Sequence, residues 1–167
     1  SDVPVPFDRI PLRYDWPGWW SKLELFEALA GSPVLYFDLD TTVQGSIDSL
    51  AGHAMDGRFI MLRDFMRPDR MASGVMAWEG NWSAITRAFA EIPERYMAEC
   101  NSRGSMGWGD GGFIEYAAGG QSNIAAWQDV APGQVVSRKC ARRRDIEAAP
   151  VVCWHGRPRP HEAGWKV

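Results

Sequence analysis

The stretch that most constrains this chain is Val34-Leu35-Tyr36-Phe37-Asp38-Leu39-Asp40-Thr41. Four apolar residues run straight into two carboxylates that stand one residue apart. The apolar run is too short for a helix and is partly β-branched or aromatic, so it predicts a short, fully buried strand. In open α/β sheets, ligands bind just beyond the carboxyl ends of strands. Asp38 and Asp40 then sit at the rim of a sheet, and the period of two points both side chains the same way. Like charges held so close repel unless a cation neutralises them. Hard oxygen ligands suit Mg²⁺ or Mn²⁺, ions that keep positions open for substrate phosphates. Two solvated acids at a strand end are the plain alternative, because a lone D-x-D is common.

The 167 residues predict one domain, with 1–20 as an extended lead-in. Hydrophobic residues make up 46% and charged ones 23%, the balance of a globular chain. No apolar run approaches the ~20 residues of a membrane span, and the N-terminus carries no signal-peptide pattern. Cys100, Cys140 and Cys153 share no zinc-type spacing, so a reducing, cytoplasmic setting with buried thiols is expected. The net charge of −3 argues against a nucleic-acid partner. Yet seven of the eighteen Lys and Arg residues lie between Arg138 and Arg159, a patch that suits an anion unless it is simply a solvated loop. Some of the nine tryptophans are candidate platforms for sugar rings or bases.

In chain order, prolines make the lead-in irregular. Ser21 and Glu24 fit a capping box for a helix that Gly31 ends. The strand follows, Thr41 to Gly45 turns away from it, and 46–54 reads as a short helix. Strands are expected around Phe59–Leu62 and over Ala72–Trp78, where Gly74 permits close approach by a backbone or ligand. Asn81 caps a helix running to about Cys100 that Pro93 kinks or splits. Gly104 to Gly112 holds five glycines and reads as a flexible, exposed loop leading into a helix over 112–118. Val135-Val136 is a strand, 138–144 a basic loop, and Pro150 to Trp154 a last strand ending at His155-Gly156.

Taken together these pieces resemble the retaining glycosyltransferases of the GT-A fold, the glycogenin and lipopolysaccharide galactosyltransferase group usually called family 8. Tyr36-Phe37-Asp38-Leu39-Asp40-Thr41 resembles that family's metal-binding strand end. Trp20-Ser21-Lys22-Leu23 resembles its helix bearing a basic donor-binding residue. Ala72-Ser73-Gly74-Val75-Met76 is similar to its N-[AS]-G-V strand. Cys153-Trp154-His155-Gly156-Arg157-Pro158-Arg159-Pro160 is similar to its terminal H-x-G-x-x-K-P segment, and Gly109-Asp110-Gly111-Gly112 to its acceptor-side D-Q loop. The likeness spans roughly residues 14–165. Ala72 stands where Asn is usual and Gly111 where Gln is usual. The family's N-terminal β-α-β unit for the nucleotide base is almost missing, and the chain begins at Ser1 rather than Met.

The resemblance implies an α/β fold: one GT-A-like, Rossmann-like domain, N-terminally truncated, with a mixed, mostly parallel central sheet flanked by helices. It implies transfer of a sugar from a nucleotide sugar, UDP-linked, to a glycan or small-molecule acceptor with retention of configuration. Asp38, Asp40 and His155 are then the ligands of Mn²⁺ or Mg²⁺. Lys22, Lys139 and Arg159 contact the diphosphate, Ser73, Gly74 and Gly156 line the donor, and Asp110 is the catalytic residue facing the acceptor. Two rivals stand beside it. One is a phosphatase of the haloacid dehalogenase class with Asp38 as nucleophile and Asp40 as general acid. The other is a degenerate relative that binds a glycan or nucleotide without turnover.

Overall fold

The computed structural model of the chain describes residues 6–101 and 106–164. Ser1 and Pro4 of the lead-in, and Gly104 of the glycine-rich run, lie outside them. The fold is mixed α/β, but its strands form two sheets rather than one. Strands β1 (Val34–Phe37), β3 (Ile60–Arg63), β4 (Met71–Trp78) and β5 (Ala125–Ala126) form the larger, in the order β1-β4-β3-β5. Strands β2 (Thr41–Val43), β6 (Val135–Ser137) and β7 (Val151–Cys153) form the smaller, in the order β2-β7-β6. The expected mostly parallel central sheet is therefore corrected. β1 with β4, β3 with β4 and β2 with β7 are antiparallel, and only β3 with β5 and β6 with β7 are parallel. For β3 and β4 the reason is the short connection over 64–70, which carries the chain straight back along its neighbour without the long crossover a parallel pair requires.

β4 organises the larger sheet because both its faces are buried. Met76 and Trp78 enter one core with Leu23, Phe26, Phe89 and Phe113. Val75 and Ala77 enter a second core with Leu62, Trp127, Val135 and Val151, which binds the two sheets together. The first core is closed by a 3-10 helix (Gly18–Glu24), α1 (Leu25–Ala28), α3 (Ser83–Glu91), α4 (Pro93–Asn101) and α5 (Gly109–Ala117). Each large apolar side chain withdrawn from water there contributes roughly 1.5–3 kcal/mol. β1 itself is only half-buried, not fully buried as its apolar run implies, because it is an edge strand.

Several local expectations change. Ser21 does not cap a helix: it lies inside the 3-10 helix, and its hydroxyl donates to the Gly18 carbonyl at 2.9 Å. Glu24 instead accepts the amides of Arg13, Tyr14 and Asp15, tying the lead-in to the core. Thr41 to Val43 is a strand rather than a plain turn. The expected long helix is split at Ile92, directly before Pro93. Helix α5 begins at Gly109, and residues 109–112, expected in an exposed loop, are buried in its first turn. Part of the basic loop is helix α7 (Arg143–Ala148), held by an Arg143–Glu147 pair one turn apart at 2.7 Å. Helix α2 (Asp48–His53) carries the exposed Gly52, whose absent side chain faces empty space. Gly52→Ala is expected to raise stability by about 0.5 kcal/mol, measured as a higher denaturation midpoint.

The thiols divide. Cys100 and Cys153 are buried, and burial pushes them up to about 11 and about 12. Cys140 is exposed, against the expectation of three buried thiols. No helix among the described residues is long and apolar enough to cross a membrane.

Candidate functional site

The site lies on the seam between the two sheets. β1 leaves the larger sheet at Phe37, and the Asp38 amide still donates to the Gly74 carbonyl. The chain then turns, with the Thr41 amide donating to the Asp38 carbonyl, and enters the smaller sheet as β2. Asp38 and Asp40 thus sit in a tight turn rather than on an extended strand, and Leu39 at its tip is fully exposed. The partner strand β7 runs on past this turn, and the Trp154 amide donates to the Asp40 carbonyl at 2.9 Å. That bond carries His155 and Gly156 to the same place.

A second local feature prepares the opposite wall. The register of β3 against β4 slips between Ile60 and Leu62. Met71 shares a core with Met76 and Trp78 although its position is of the other parity. Between the two registers β4 carries three more residues than β3, within Ser73–Met76, a bulge-like irregularity that re-aims side chains. The Ser73 hydroxyl consequently lies 2.5 Å from Asp110 Oδ2, in the first turn of α5.

Beneath these groups Lys22 is buried, its side chain only 6% exposed. Its ammonium lies 2.6 Å from Asp38 Oδ1, 3.0 Å from Asp110 Oδ2 and 3.3 Å from Ser73 Oγ. Burial alone lowers a lysine's pKa, but Asp110 and Asp38 outweigh it and hold Lys22 above its ordinary value. Tyr36 donates to Asp38 Oδ1 at 2.7 Å. Burial first, then the Asp38 charge, pushes the phenol far up, so it remains a donor. One oxygen of Asp38 is therefore fixed from below. Asp40 is paired with Arg159.

Above these residues opens a cavity of about 270 Å³, near the lower end of the ~300–1,000 Å³ typical of ligand pockets. Seven of the ten sequence-derived candidates line it: Asp38, Asp40, Ser73, Gly74, Asp110, His155 and Gly156. Lys22 supports it from within and Arg159 from beside Asp40, while Lys139 Nζ lies 2.9 Å from where a Cβ on Gly156 would stand. Sequence reasoning missed Tyr36 as a functional group. It also missed Phe65, Arg67, Arg70 and Trp108, which line the cavity too. Tyr36 was within reach, since a period of two from Asp38 places it on the same face.

His155 needs a closer look. Ser137 Oγ accepts the amides of Lys139 at 3.1 Å and Cys140 at 3.2 Å. Both its lone pairs are occupied, so its own hydrogen goes to His155 Nε2 at 2.7 Å. The imidazole then carries its proton on Nδ1, and burial, followed by the Lys139 charge, lowers its pKa and keeps it neutral. Among the described residues, no group of three His, Cys, Asp or Glu side chains is placed to hold a metal ion. Asp38 and Asp40 bring hard oxygen donors of the kind Mg²⁺ or Mn²⁺ takes, with Asp40 paired to Arg159. Asp38 Oδ2 is 3.8 Å from the empty Cβ position of Gly74, and both aspartates line the cavity. His155 can join such an ion only after Ser137 releases Nε2 or the ring changes tautomer to free Nδ1.

Gly111 has a packing reason. A Cβ there would lie 3.3 Å from the Ser73 amide and 3.4 Å from the Met71 carbonyl, so α5 presses directly onto β4 at this residue. Comparison with family models and with curated proteins returns no match.

Proposed function

We propose that the chain is a metal-dependent retaining glycosyltransferase of GT-A type that takes a sugar from a nucleotide sugar, with UDP-sugars as the donor class. The observation that carries this reading is convergence. Five segments far apart in sequence, each quoted for the family likeness, meet around one cavity on the seam between the sheets.

In this reading Asp38 and Asp40 hold Mn²⁺ or Mg²⁺, and the bound ion supplies the Lewis acidity that stabilises a departing diphosphate. Lys22 and Tyr36 hold Oδ1 of Asp38 and so orient its carboxylate. Arg159 and Lys139 offer cationic hydrogen bonds to phosphate oxygens. His155 donates from Nδ1. Ser73 and Gly74 lie against the sugar, and Asp110 accepts a hydrogen bond from a sugar or acceptor hydroxyl. The bond from the anomeric carbon to the phosphate oxygen breaks, the bond to the acceptor oxygen forms, and the acceptor proton passes to the departing diphosphate. A chain that binds without turnover is the second reading. It is favoured by Gly111, packed on β4 with no side chain to offer where the family has Gln.

The test is calorimetric titration of UDP with and without Mn²⁺, on the wild type and on Asp40→Asn. Binding that depends on Mn²⁺ and weakens roughly tenfold or more in the variant is expected. If the folded wild-type chain binds no UDP, the transferase reading fails, and a generic phosphomonoester assay with Asp38 as candidate nucleophile comes next.

A further inference from the structure

The charged side chains of the cavity differ in burial. Its floor carries Asp38 and Asp110 with the single ammonium of Lys22 between them. Arg67 and Arg70 also line the cavity, and their greater exposure, 52% and 40% of the side chain, puts them at its mouth. Both belong to the tight turn between β3 and β4, and that turn is rigidly bonded. Asp64 Oδ1 accepts the amides of Met66 at 2.8 Å and Arg67 at 2.9 Å. The Asp64 amide donates to the Arg70 carbonyl, and the Arg70 amide to the Arg67 carbonyl. Phe65 stacks on His155 at 6.1 Å, tying the turn to the opposite sheet.

The two guanidinium groups are weakly engaged where they stand. Arg67 reaches Asp64 only at 3.6 Å, and Arg70 reaches the 81%-exposed Asp69 only at 4.0 Å. Exposed ion pairs of that length contribute little. The other carboxylate on this side of the cavity, Glu115, accepts the Met71 amide at 3.0 Å and the Gln121 amide group at 3.2 Å. Arg70 Nη1 lies 3.9 Å from the empty Cβ position of Gly107, beside the chain entering α5. Trp108, next to Gly107 in the chain, also lines the cavity and is about half exposed, an apolar face of the kind that sugar rings stack on.

We propose that this cavity takes an acidic sugar: a ring whose hydroxyls meet the carboxylate floor and whose carboxylate or phosphate is held at the mouth by Arg67 and Arg70. Arginine's planar fork matches either anion bidentately. The proposal rests on reading the cavity as a sugar site and names the acidic class of sugar, most simply the acceptor.

The test contains no nucleotide, so it is read separately from the UDP titration. Glucose, glucuronate, glucose 6-phosphate and inorganic phosphate are titrated against the whole chain, following tryptophan fluorescence. The same series is run on the double variant Arg67→Gln/Arg70→Gln, whose exposed turn positions leave the fold intact by circular dichroism. The expected result is that glucuronate, glucose 6-phosphate or both bind at least roughly tenfold tighter than glucose, the scale of a charge-assisted hydrogen bond. The double variant is expected to erase that preference. Glucuronate alone identifies a carboxylate reader, and glucose 6-phosphate alone a phosphate reader. Equal binding of glucose, a preference that survives in the double variant, or inorganic phosphate binding as tightly as glucose 6-phosphate each overturns the proposal. So does the absence of binding by both acidic sugars.

Discussion

Replacing Lys22 with Met is expected to destabilise the chain by about 3–5 kcal/mol, the penalty for leaving buried charge without its partner. The side chain is 6% exposed and its ammonium bridges Asp38 and Asp110. Methionine fills a similar volume but leaves the two carboxylates without the cation between them. The sign with pH follows from the raised pKa of Lys22. A group whose pKa is higher folded than unfolded adds stability in full below the unfolded value, here near 10.5, and loses it as pH rises through the folded value. The Lys22 contribution is therefore complete at neutral pH and fades only in strong alkali. Urea denaturation of both proteins at neutral pH and above pH 11 measures it: the gap between them should narrow in alkali. A variant as stable as the wild type at pH 7 would mean that the ammonium contributes nothing net to the floor.

Gly112→Ala should also destabilise the chain, although alanine is the better helix former. The gain in helix propensity is about 1 kcal/mol. Against it, the new Cβ would overlap the Met106 carbonyl oxygen and stand 2.7 Å from the Gly107 carbonyl carbon. These are backbone atoms with no rotamer to escape into, and overpacking of this kind costs about 1–3 kcal/mol or more. The clash wins, and it falls on the segment that presents Trp108 and Asp110 to the cavity. A lowered melting temperature together with weakened ligand binding is expected. Gly52→Ala is the matched control, in a helix with nothing nearby. A stabilised Gly112→Ala would show that the close approach of α5 to residues 106 and 107 relaxes freely.

What the sequence made legible was mostly a matter of element length. β1, β3, β4 and β7 carry apolar runs long enough to announce themselves. β5 has two residues and α6 (Trp127–Val130) four, too few for any periodicity to emerge. The sheet direction was misread because Phe37-Asp38 looks like a strand end in a parallel sheet, whereas the turn at Asp38–Thr41 sends the chain into a second sheet. Among site residues, those with a charge or a motif were found. Tyr36 was passed over as part of an apolar run, and Ser137, which sets the proton on His155, sits in a strand that reads as pure core. Arg67 and Arg70 read only as a strand breaker beside Pro68. Their placement at a cavity mouth depends on the hydrogen bonds that fold the turn back, which no spacing rule supplies.

The seam also determines what a ligand does to the protein. One wall of the cavity belongs to the four-stranded sheet and the other to the three-stranded sheet. A molecule long enough to touch both acts as a splint across them, and the free energy of seating it becomes resistance to any local opening that parts one sheet from the other. A molecule that reaches a single wall leaves that opening as easy as before. Occupants of this cavity therefore differ not only in how tightly they hold but in whether they brace the two halves of the molecule against each other.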